Sequence, residues 1–152
     1  MQMDFTGIAA SPLLQKAAAD TLECNAFTRE FGLALTEEQA MELAAVRAKS
    51  LAACGRIEFG GGVVEKLIRA FCDSPYLTQD TYAETIQELT ECFYFYKNDT
   101  LDLCGDDEMI AFMARAFNGV CKGSVELLRD REMERMAAGL RYGRPFDGGG
   151  DE

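Results

Sequence analysis

The clearest period in the chain lies between Gln79 and Tyr96, where Tyr82, Ile86, Leu89, Phe93 and Tyr96 step by 4, 3, 4 and 3. That spacing predicts a helix whose seam faces a partner helix. On its other side Asp80, Glu84, Glu88 and Glu91 form a carboxylate stripe. The turn from Cys92 to Tyr96 is apolar all round, which predicts burial from several directions.

Similar patterns recur along the chain with recognisable ends. Ser11 followed by Pro12 reads as a cap with proline in the first helical position. Thr21 to Phe31 predicts a second, short helix ended by Gly32. Thr36 with Gln39 forms a capping box, opening a helix that runs to Cys54 with Gly55 as its C-terminal cap. Val64, Leu67, Ile68 and Phe71 make an apolar stripe after Gly60-Gly61-Gly62, and Asp73-Ser74-Pro75 stops that helix. Gly105 or Asp106 caps a further helix carrying Met109, Ile110, Met113 and Phe117, and Ser124 caps one or two more, with Leu128, Met133, Met136 and Leu140 inward.

Extended structure has little room. Arg56 to Phe59 alternates polar and apolar residues and predicts at most a minor two-stranded pairing with residues 33–35. The expectation is therefore an all-α, single-domain bundle of six or seven uneven helices over residues 1–143, with a disordered acidic, glycine-rich tail at 144–152.

Composition narrows the chemistry. The 152 residues contain no histidine, which removes Ser-His-Asp and Cys-His nucleophile pairs and mixed Cys/His zinc sites. The six cysteines, at 24, 54, 72, 92, 104 and 121, never fall at metal-knuckle or redox-motif spacing and read as reduced core thiols. No basic leader precedes an apolar run, so a cytoplasmic setting with no membrane partner is expected. No cofactor fingerprint, metal spacing or catalytic residue emerges. Cys72, the best-placed thiol, stands at the negative end of its helix and lacks an activating base.

Charge adds a direction. The net charge is -11, and between Asp80 and Glu108 nine acids stand against Lys97 alone. Such a surface repels nucleic acid and anionic lipid, whose binding rests on Lys and Arg. It reads first as a solvated face that keeps the chain soluble, and in a sharper reading as the dock for a protein partner with a basic surface or for the chain's own arginine-rich segment from Arg129 to Arg144 on the Asp80, Glu84, Glu88 and Glu91 face. A second candidate site is the turn Gly60, Gly61 and Gly62 at a helix start, which reads either as a tight structural turn or, with Asp73 and Tyr76, as the site of a small-anion binding protein or enzyme. A third reading is an acidic mimic of nucleic acid.

The stretches LTEEQA (35–40), GRIEFGGGVVEKLIRAFCDSPYLTQDTYAETIQEL (55–89), FYFYKND (93–99) and FNGVCKGSVELL (117–128) resemble a family of small uncharacterised bacterial proteins built on a domain of unknown function. The resemblance covers roughly two thirds of the chain and is strongest from Gly55 to Leu89. It implies a bacterial cytoplasmic protein and assigns no activity to any position. From the residues themselves, a non-enzymatic accessory or interaction module is the leading expectation.

Overall fold

A computed structural model describes residues 12–143. The expected tail at 144–152 and the Ser11 cap lie outside the described residues. The order is α1 (Pro12–Leu22), the short α2 (Asn25–Thr28) with a 3-10 turn (Arg29–Phe31), α3 (Glu37–Cys54), α4 (Gly62–Phe71), α5 (Gln79–Asp99), α6 (Asp106–Asn118), α7 (Val125–Leu127), a π-helical turn (Leu128–Glu132) and α8 (Met133–Arg141). The last three run on as one segment, so the protein is an all-α single domain with six principal helical segments among the described residues. Among the described residues no helix is long and apolar enough to cross a membrane.

Helix α5 is the axis of the fold because its 4-3 seam is buried along its whole length, while Asp80, Glu84, Glu91 and Phe95 keep one face exposed. Tyr82, Ile86, Leu89, Phe93 and Tyr96 are all buried, and α5 packs against α3, α4, α6, α7 and α8. Met109, Met113, Met133 and Met136 join the same core. A separate small cluster of Leu14, Ala17, Ala18, Ala40 and Ala44 joins α1 to α3. Alanine lets those two helices approach closely while burying few methylenes, so α1 is held by modest apolar area.

The caps hold the ends as their chemistry requires. The Gln39 amide N–H donates to Thr36 Oγ1 over 3.0 Å and the Thr36 N–H donates to Gln39 Oε1 over 2.9 Å. Ser124 Oγ accepts from the Leu127 N–H. At Gly105, which has no side chain to cap with, the backbone N–H donates to Glu108 Oε1 and supplies half of such a box.

The expected β pairing of 33–35 with 56–59 does not form, since no strand occurs among the described residues. Side chains replace it. The Gln79 amide bonds both backbone groups of Ala34, at 2.8 and 2.9 Å, and the Asn25 amide does the same for Leu35, at 2.8 and 3.0 Å. Thr28 Oγ1 donates to the Leu33 carbonyl. A carboxamide offers one donor and one acceptor in the geometry of a neighbouring strand, so residues 33–35 are satisfied without one.

Candidate functional site

The second half of α5 forms one wall of a groove of about 930 Å³. Val46, Lys49, Ser50 and Ala53 of α3 face it from the other side, and Arg129, Asp130 and Glu134 close one end. Two of the four predicted stripe carboxylates, Glu88 and Glu91, stand on its lip. Asp80 and Glu84 lie further up the same helix and are exposed. None of the four enters an ion pair among the described residues.

Phe95 belongs to this stripe. From Asp80 the steps of 4, 4 and 3 continue by 4 to Phe95, so the aromatic ring lands on the wet face. It is 58% exposed, against the expectation that the turn from Cys92 to Tyr96 is buried all round. The other four residues of that turn are buried. The missed signal was an aromatic side chain in register with carboxylates.

The π turn builds the end of the groove. The Met133 N–H reaches back five residues to the Leu128 carbonyl, and this wider register leaves the Arg129 carbonyl to take another donor. Tyr96 Oη lies 2.8 Å from that carbonyl and 3.1 Å from Glu134 Oε2. Burial, then the Glu134 carboxylate, pushes the Tyr96 phenol above its ordinary value, so it stays a donor at neutral pH. Burial likewise pushes the Cys92 thiol up to about 12, which makes it a small apolar wall and not a nucleophile. Arg129 is paired with Asp130 at 2.9 Å. The groove therefore presents unpaired Glu88 and Glu91 opposite Lys49.

Among the described residues, no arginine of the Arg129 to Arg144 segment pairs with the stripe. Arg131 and Arg135 pair with Glu132, and Arg141 is the arginine of the segment whose ion pair reaches α5, at Asp99.

At Gly60 to Gly62 a carboxylate of the chain occupies the helix start. Glu58 Oε1 accepts from the Val63 N–H at 3.2 Å and from Tyr94 Oη at 2.6 Å, while Arg47 Nη1 donates to the Gly60 carbonyl at 2.6 Å. A Cβ on Gly62, whose φ is +53°, would stand 2.4 Å from Glu58 Oε1. Asp73 and Tyr76 lie beyond the far end of α4, about 15 Å of helix away. The two halves of the predicted ligand site are thus not brought together. Asp73 is exposed, and the Tyr76 ring packs on Gly123 and edge-on to Phe117.

Glu58 is one node of a charged network that sequence reading missed. Arg56 reaches Glu58 at 3.1 Å, Asp102 at 3.5 Å and the Asp106 carboxylate, and Lys97 Nζ stands 2.9 Å from both Asp102 and Asp106. Arg47 was the available clue, because it shares the buried face of α3 with Ala40, Leu43 and Ala44. Burial opposes ionisation of Asp106, yet Lys97 and Arg56 together outweigh it and hold the carboxyl below its usual 3.8. A carboxyl depressed on folding stabilises the protein above its unfolded value and loses that contribution as pH falls through the folded one. The melting temperature should therefore hold above about pH 5 and fall from about pH 4 downward, with a shallower acid slope in Lys97→Met. An unchanged slope in that variant would contradict the assignment.

Fold and site define a small all-α domain with an acid-lipped groove and an internally neutralised ionic network. The chain belongs to a family of unknown function, DUF6323, which matches residues 20–145. No curated protein and no solved structure matches it.

Proposed function

We propose that the protein is a non-enzymatic helical accessory module that docks a basic, amphipathic segment of a partner protein in the groove between α3, α5 and the π turn. The observation that carries this reading is Phe95, a half-exposed aromatic ring placed in line with the unpaired carboxylates of Glu88 and Glu91. An aromatic anchor beside acids is what a helix bearing leucine and arginine on one face would bury and pair. The groove's own shortage of cations, Lys49 and Arg129 against four acids, sets the sign of the partner.

A leucine/arginine-patterned helical peptide is the probe, with a leucine/glutamate counterpart as control, titrated by calorimetry. The expected result is binding of the basic peptide alone, weakening as ionic strength rises. Phe95→Ala should weaken it about tenfold, as should Glu88→Lys combined with Glu91→Lys. Equal binding by all variants, or no binding of the basic peptide, would sink the proposal. A nucleic-acid mimic would depend on the carboxylates and be indifferent to Phe95. A small anion at Gly60 to Gly62 would first have to displace Glu58, which gives that alternative no support.

A further inference from the structure

A second face of the molecule leaves large apolar side chains exposed beside an ion-pair network. On the segment after α3, Arg56 and Glu58 turn inward to the ionic network, and the intervening Ile57 and Phe59 are 79% and 78% exposed. On the loop after α5, Asp102 turns toward Arg56 and Lys97, and its neighbours Leu101 and Leu103 are 81% and 62% exposed. Arg56 ties the two loops together through Asp102 and Asp106. Leu101 and Asp102 both hold positive φ, +56° and +60°, a conformation that non-glycine residues seldom adopt. The network, with Lys97 also donating to the Cys104 carbonyl, keeps the loop in that shape.

We propose that this face is where a second copy of the chain docks. Four large apolar side chains at such exposure amount to several hundred Å², the size at which an apolar patch marks an interaction site. They also supply much of the roughly 800 Å² that each partner brings to a standard interface.

Charge identifies the occupant. Two copies of a chain carrying -11 repel one another across most of their surfaces. Here Arg47, Arg56 and Lys97 balance Glu58, Asp102 and Asp106, so the ionic network beneath the patch adds nothing to the net charge of -11. Under a two-fold axis the same patch must fit itself, which neutral apolar side chains do and an acidic lip does not. The groove requires a foreign, basic partner, and the loops require none.

Sedimentation velocity on the full chain, from about 1 to about 100 μM, tests this at a concentration range where a micromolar dimer changes state. The expected result is a monomer–dimer equilibrium in the unaltered protein and monomer throughout in Ile57→Asp combined with Phe59→Asp. Leu101→Asn should also shift the equilibrium to monomer, and asparagine tolerates the left-handed conformation, so this variant guards against a merely misfolded loop. Phe95→Ala should leave the dimer intact, which separates this face from the groove. An unaltered protein that stays monomeric at the highest concentration would overturn the proposal, as would a dimer that survives both loop variants.

Discussion

Glu58→Ala is expected to lower the melting temperature by roughly 10 °C, because breaking a buried ion pair from one side costs about 3–5 kcal/mol and a domain of this length loses about 2–4 °C per kcal/mol. The side chain of Glu58 is 10% exposed and that of Arg47 7%. Without the carboxylate, Arg47 keeps the Gly60 carbonyl but loses its counter-charge, and the Tyr94 hydroxyl and Val63 N–H lose their acceptor. Arg56 is less affected, since Asp102 and Asp106 remain to it. Glu58→Gln keeps an oxygen for Tyr94 and removes only the charge, so it should recover part of the loss. Circular-dichroism melts on the three proteins measure both steps. If Glu58→Ala melts with the unaltered protein, the network is not holding α3, α4 and α5 together. The same variant frees the Val63 N–H and the Tyr94 hydroxyl at the start of α4, so added acetate should raise its melting temperature and leave that of the unaltered protein unchanged.

The inward turn of Glu58 also marks where the sequence stops being legible. A two-residue alternation over Arg56 to Phe59 says that the residues share faces in pairs and not which pair faces the core. Hydrophobicity favours Ile57 and Phe59 inside, but Arg47 and Lys97, buried on α3 and α5, need carboxylates more than the core needs two further apolar groups. Helix ends were readable because their chemistry is local: Thr36 with Gln39, and Ser124 with Leu127, satisfy donors three residues away. The state of residues 33–35 was not, since Asn25 and Gln79 lie 10 and 45 residues from the groups they bond. The groove stands between these cases. The stripe from Asp80 to Glu91 was visible, and its extension to Phe95 follows from the same helical step. The opposite wall on α3 and the π turn at its end come only from the packing of helices distant in sequence.

Gly123→Ala is expected to cost about 3 kcal/mol, or roughly 10 °C in melting temperature, from two sources that a double-mutant cycle separates. The first is backbone: φ is +84° at this position, and alanine there loses about 1 kcal/mol. The second is contact. An added Cβ would lie 2.5 Å from Tyr76 Cβ and 2.6 Å from its Cγ, and overpacking of this kind costs about 1–3 kcal/mol. Tyr76 cannot simply retreat. Its N–H donates to Ser74 Oγ at 3.1 Å, Ser74 in turn donates to Asn118 Oδ1, and the ring meets Phe117 edge-on with centroids 6.4 Å apart. The Gly123 N–H is itself fixed, donating to the Phe117 carbonyl at 2.8 Å. In a Tyr76→Gly background, which removes the Cβ as well as the ring, the contact disappears and the backbone cost remains, so Gly123→Ala should there cost only about 1 kcal/mol. That non-additivity would make Tyr76 a packing residue that locks the Ser74 corner to the turn before α7. Strict additivity would mean that the ring is not seated on Gly123 in solution, leaving Tyr76 free to meet a ligand.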